Sequence, residues 1–135
     1  MEKINLTIYE NFSTLLGRVL IGGLFAFAGF GKISGFEGTA GWMASAGLPF
    51  ASFLLILTII LELGGGIALI LGYKTKLIAF LLAGFTLLAT LLFHNNLSDM
   101  NQMLFFTKNL MIVGGLLAFS SFGSGRISLD KVLNN

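Results

Sequence analysis

"FASFLLILTIILELGGGIALIL", residues 50–71, is a run in which Glu62 is the one charge-capable side chain and three glycines, Gly64, Gly65 and Gly66, follow closely. A surface helix of a water-soluble domain shows polar residues every third or fourth position, whereas this run is apolar on every side. Its length matches the roughly 20 residues that a helix needs to cross about 30 Å of hydrocarbon. It therefore reads as a membrane span. Residues 12–33, 77–93 and 103–122 have the same character, the last interrupted near its start by Lys108 and Asn109.

The whole composition agrees with this reading. Of 135 residues 56% are hydrophobic and only 10% charged, with a mean hydropathy of +0.92, more apolar than a soluble core of this size requires. Continuous apolar runs exclude a membrane β-barrel, whose strands alternate in polarity. The segments between the spans are short, about 16, 5 and 9 residues, so sequential helices run antiparallel. The prediction is an all-α, polytopic membrane four-helix bundle, a single transmembrane domain over 1–135 with no soluble domain left over. The N-terminal stretch "MEKINLTIYENFSTLLGR" mixes acidic and basic residues and lacks a small-residue cleavage site, so it reads as the lead into an uncleaved first span. Ile4, Ile8 and Phe12 share one helical face, which predicts a short interfacial helix over the first eleven residues.

Charge sets the expected orientation. Four spans collect Lys3, Lys74, Lys76, Arg126 and Lys131 on one side, and the positive-inside rule then puts both termini in the cytoplasm. A net charge of +2, spread along span edges, argues against nucleic acid as a partner and leaves the lipid bilayer as the expected one. With no cysteine the chain has no thiol chemistry of its own, and it carries neither a metal-ligand cluster nor a pair of haem-ligating histidines. No metal site and no haem are predicted.

The remaining polar residues can be placed by depth. At 1.5 Å per residue, Arg18 lies about 9 Å inside the first span and Glu62 about 14 Å inside the second, both measured from the cytoplasmic side. A lone carboxylate at that depth is costly, so an Arg18–Glu62 ion pair is expected, with glycines 64–66 and Gly17, Gly22 and Gly23 letting the helices approach. Arg18, Gly22, Phe25, Gly29 and Lys32 fall on one helical face, and Thr86, Thr90 and His94 on another. Lys32, His94 and Lys108 thus gather at the non-cytoplasmic end near Asn95, Asn96 and Asp99, an electropositive, hydrogen-bonding lid suited to an anion or to the carbonyl oxygens of a quinone. The segment "SGFEGTAGWMASAGLP" is predicted to fold onto the membrane surface and cap this site, with Trp42 as an interface anchor. Each feature also has a purely structural reading: an ion pair that orients helices, lysines that snorkel, threonines bonded to their own helix, a histidine bonded to a loop carbonyl.

"GRVLIGGLFAFAGFGKI", a loop with "GWMASAGLP", "LELGGGIALILGYKTKLIAFLLAGFTLLATLLFH" and "KNLMIVGGLLAF" together resemble the DoxX family of small four-helix bacterial membrane proteins. The resemblance runs from about Gly17 to Phe119 and implies a protein of the bacterial inner membrane, related to small subunits of thiosulfate:quinone oxidoreductase and to accessory partners of redox enzymes. The family positions it carries over are Arg18, Lys32, Glu62, His94 and Lys108. The expected function is a quinone-linked or redox-associated small subunit: Glu62 and His94 handle protons, while Lys32, Lys108 and Asn109 bind the cofactor, a quinone. Any metal or flavin would come from a partner subunit of a redox enzyme, and a second copy of the chain is the other partner considered. The alternatives are a non-catalytic accessory or assembly subunit and, behind it, a small-solute or ion carrier. The carrier reading would use local unwinding at glycines 64–66.

Overall fold

A computed structural model describes residues 2–134 and is all-helical over them. Helix α1 is Glu2–Ser34, α2 Phe36–Ser45, α3 Ala51–Leu71, α4 Thr75–Phe93, α5 Met100–Phe122 and α6 Leu129–Leu133. Four of these contain stretches long and apolar enough to cross a membrane: Thr7–Ser34, Ala51–Leu71, Thr75–Phe93 and Met100–Phe122. The predicted interfacial helix over the first eleven residues does not exist as a separate element. α1 runs without a break from Glu2, because nothing between Glu2 and Phe12 stops a helix: there is no proline or glycine there.

The ends of α3 and α4 show how local chemistry sets their limits. Pro49, the chain's one proline, precedes α3. At the other end Gly72 takes φ +72°; its N–H bonds the Leu69 carbonyl at 3.1 Å and the Tyr73 N–H bonds that of Ala68 at 2.8 Å, a Schellman-type stop. Two residues later α4 starts. Its first amides, those of Lys74 and Thr75, donate to the two carboxylate oxygens of Asp130 at 2.7 and 2.9 Å, so a residue far along the chain caps the helix.

That carboxylate belongs to a C-terminal strap, residues 123–134, which crosses from α5 over Thr14 of α1 to the α3–α4 turn. Beneath it Arg18 is fully buried. Its guanidinium donates to the carbonyls of Leu69 and Ile70 at 3.3 Å each and to that of Ile127, and its electrostatic partner is Asp130. Carbonyls in the last turn of a helix have no partner within it, and here a cation both satisfies them and complements the negative end of the helix. The expected Arg18–Glu62 pair is therefore not formed.

The register of α1 against α3 gives the reason. A Cβ at Gly22 would lie 2.5 Å from the Gly66 carbonyl oxygen, and one at Gly29 would lie 2.7 Å from the Leu63 nitrogen, so the two backbones are in direct contact at both points. Antiparallel pairing of 22 with 66 and of 29 with 63 puts Arg18 beside the end of α3, about 16 Å along α1 from the level of Glu62. The main apolar core lies among α3, α4 and α5, with Leu69, Leu82 and Leu116 fully buried. A smaller cluster of Ala40, Met43 and Leu55 fastens α2 across the opposite end. Phenylalanines such as Phe27, Phe53 and Phe80 are turned outward to the bilayer.

Candidate functional site

Glu62 sits in a turn that is not α-helical. Ile60–Gly64 follows the wider π pattern inside α3, a device that sets an extra residue into the helical ladder and recurs at functional sites. The side chain is almost wholly buried and its Oε1 lies 2.8 Å from Nζ of Lys32, which is one-third exposed. The approach lies outside hydrogen-bond geometry, so charge rather than a directional bond holds the pair. Gly29 makes the contact possible: one turn before Lys32, it lets α1 lie against Glu62 and Leu63. The carboxylate thus meets a cation of the first span, as its burial requires, and that cation is Lys32.

The pair borders a cavity of about 570 Å³. Thr86 of α4, Lys108 and Asn109 of α5, and His94 just beyond α4 reach the same space, whose walls include Phe25, Phe85, Phe93 and Phe105. Thr39, Trp42 and Met43 of α2 cover its end. The segment between the first two spans is thus a helical lid, and Trp42 packs on Phe93 with ring centres 4.7 Å apart. This tilted ring contact and the Met43 contacts hold α2 down.

The polar groups of the cavity differ in how far they are already engaged. Asn109 donates to Thr90 Oγ1 at 3.0 Å, and that hydroxyl donates to the Thr86 carbonyl at 2.6 Å, which ties α5 to α4. Among the described residues the buried Thr86 hydroxyl has no hydrogen-bond partner, an arrangement that costs stability unless something else occupies the site. His94 stacks on Phe105 with centroids 5.1 Å apart, and Lys108 Nζ lies 4.8 Å from the centroid of that ring. Asn95, Asn96 and Asp99, expected in the lid, are spent locally: Asn95 on the Leu91 carbonyl, Asn96 on Gln102 and Ser98, Asp99 on capping α5 at Asn101.

Burial, and secondarily the nearby Lys108 charge, lower the pKa of His94 from its ordinary value of 6.5. The imidazole is therefore neutral at pH 7, with one nitrogen free to accept a proton. Because the folded state binds this proton less readily than the unfolded chain does, the contribution of His94 to stability falls as pH drops below about 6.5. Lys108→Met is expected to raise the His94 pKa while leaving it below that of a free imidazole, since the larger cause, burial, remains. NMR titration of the single histidine checks this. An unchanged or lower value would show that the two groups do not interact.

Sequence reasoning missed two parts of the site. The π turn has as its only advance signal the glycines after Glu62. The partnership of Lys32 with Glu62 was hidden because depths counted from the cytoplasmic side put the start of the first span level with the end of the second, whereas Arg18, six residues in, lies beside the last turn of α3.

Four antiparallel membrane-spanning helices with an ion pair at the edge of a roofed, largely apolar cavity define an integral membrane protein. The chain belongs to the DoxX family, whose model matches residues 13–95. It is 44% identical to the inner membrane protein YqjF of Escherichia coli (strain K12), over 93% of this chain and 95% of that one. It is 33% identical to the inner membrane protein YphA of the same organism, over 87% of each. A shorter match, 39% identity over 52% of this chain and 51% of the relative, is to the "Putative oxidoreductase CatD" of Bacillus subtilis (strain 168). No solved structure matches the chain.

Proposed function

We propose that the cavity holds the head group of a quinone and that the chain is the membrane subunit of a quinone-linked redox system, set in the bacterial inner membrane with both termini in the cytoplasm. The observation that carries this reading is the pairing of buried Glu62 with Lys32 at the edge of a largely apolar chamber. Charges inside a membrane are expensive and mark sites of ligand or proton traffic. The donor set fits the group: Lys32 and Lys108 present ammonium protons to carbonyl oxygens, and the phenylalanine walls accept a flat ring. The name of the CatD relative points the same way.

A quinone supplies a two-electron, two-proton acceptor. This chain's residues bind it and handle protons. Glu62, held against Lys32 at the edge of the cavity, is placed to accept a proton, and neutral His94, at the α2 end of the cavity, exchanges protons with water. The electrons come from a flavin or metal centre of a partner chain. Lys74, Lys76, Arg126 and Lys131 at the Arg18 end support the orientation.

Protein purified in mild detergent is expected to carry quinone extractable into organic solvent, in amounts that fall at least about tenfold in Glu62→Gln and His94→Ala. If the native protein carries none and both variants keep the redox activity of membranes, the site is not a quinone site. A non-catalytic accessory role would then remain.

A further inference from the structure

The cavity just described opens toward lipid on the side between α1 and α5. α1 and α5 meet near the Arg18 end, where Cβ atoms at Gly17 and Gly115 would lie 3.0 Å from Phe119 and 3.3 Å from Ile21. Elsewhere the backbones of these two helices scarcely approach each other. In the space between them the cavity is lined by Leu20, Leu24 and Ala28 of α1 and by Phe105 and Ile112 of α5. Leu24 is 69% and Phe105 45% exposed, so each has one flank on the cavity and the other where acyl chains lie. On the water side the route is roofed by α2, with Trp42 on Phe93 and Met43 buried.

We infer that the ligand enters sideways from the bilayer through the gap between α1 and α5. It is then a tailed amphiphile: its polar head reaches Lys32, Glu62 and Thr86, and its hydrocarbon tail leaves between Leu24 and Phe105. This rests on the reading of the cavity as a quinone site and narrows it. From Lys32 to Leu20 the lining extends about 18 Å along α1, longer than a head group alone requires. The buried Thr86 hydroxyl, without a hydrogen-bond partner among the described residues, marks the inner end where a polar head would stop. Along the gap the groups are hydrocarbon, which water-soluble anions would have no means to cross.

The test uses Trp42, the only tryptophan, which lines the cavity and reports a bound quinone by loss of its fluorescence. The full chain in detergent micelles is titrated with a dimethoxy-methyl-benzoquinone and with the same head carrying a decyl tail, concentrations being counted in the micelle phase. Saturable quenching by the tailed compound is expected at concentrations at least about tenfold lower than by the tailless one. Ala28→Phe and Leu24→Phe, which fill the gap, should weaken the tailed compound by at least about tenfold and the tailless one far less. Leu88→Phe, on the lipid face of α4, should change neither. Equal binding of the two compounds, or equal weakening of both by the gap substitutions, overturns sideways entry and leaves the quinone site standing. Saturable quenching by neither overturns both. Thermal melting of each variant distinguishes a blocked gap from a lost fold, and either gap variant alone suffices.

Discussion

Arg18→Met is expected to destabilise the fold by about 3–5 kcal/mol, the size of effect seen when one member of a buried ionic network is removed. The guanidinium is fully buried and holds the carbonyls of Leu69, Ile70 and Ile127, which belong to two segments, the end of α3 and the C-terminal strap. Methionine fills much of the volume but donates nothing. The Ile70 and Ile127 carbonyls then lose their donor, each at a cost of about 1–3 kcal/mol, while the Asp130 carboxylate loses its nearby cation and keeps its bonds to the Lys74 and Thr75 amides. Part of this is recovered as the strap loosens and admits water, which keeps the total below the sum. Thermal unfolding in detergent measures it. The double variant Arg18→Glu with Glu62→Arg should melt no higher than the worse of its single changes. Recovery of stability in that charge swap would mean that the two residues face each other after all.

Gly66→Ala is expected to cost about 2–4 kcal/mol, although it adds a single methyl group to a residue with ordinary helical surroundings. The added carbon would lie 2.5 Å from the Gly22 oxygen and 2.6 Å from the Ala26 nitrogen. Both are backbone atoms of α1, so no side-chain rotation relieves the clash and the helices must part. The effect then spreads to the site: parting at Gly66 also loosens the contact at Gly29 that carries Lys32 to Glu62. Its neighbours give the control. A Cβ at Gly64 meets nothing within 4 Å and one at Gly65 only Leu82 at 3.4 Å, so Gly64→Ala should be neutral or stabilise by up to about 1 kcal/mol through the helix preference of alanine. Melting points that fall equally for all three alanines would refute the close packing of α1 on α3.

The glycine triplet illustrates how much of the site can be read from sequence. Three glycines after an intramembrane carboxylate signal a close helix contact, yet only Gly66 makes it, and of the glycines expected opposite only Gly22 receives it; Gly17 faces Phe119 and Gly23 faces open space. Helical spacing correctly put Arg18, Gly22, Phe25, Gly29 and Lys32 on one face of α1, since that follows from 3.6 residues per turn. It could not say what that face meets. The cap on α4 was equally hidden, because Asp130 lies over fifty residues from Lys74 and nothing local announces it.

Hydropathy, span length and short connections were enough to establish a membrane bundle of four antiparallel helices, because hydrocarbon demands internally bonded helices of a given length. They were also enough to require a partner for Glu62, because burying a charge alone is prohibitive. Which cation becomes that partner was decided only in three dimensions. Pairing between helices depends on their relative slide, and that slide is set by backbone contacts at Gly22, Gly29 and Gly66, positions whose importance exists only once the two helices are side by side.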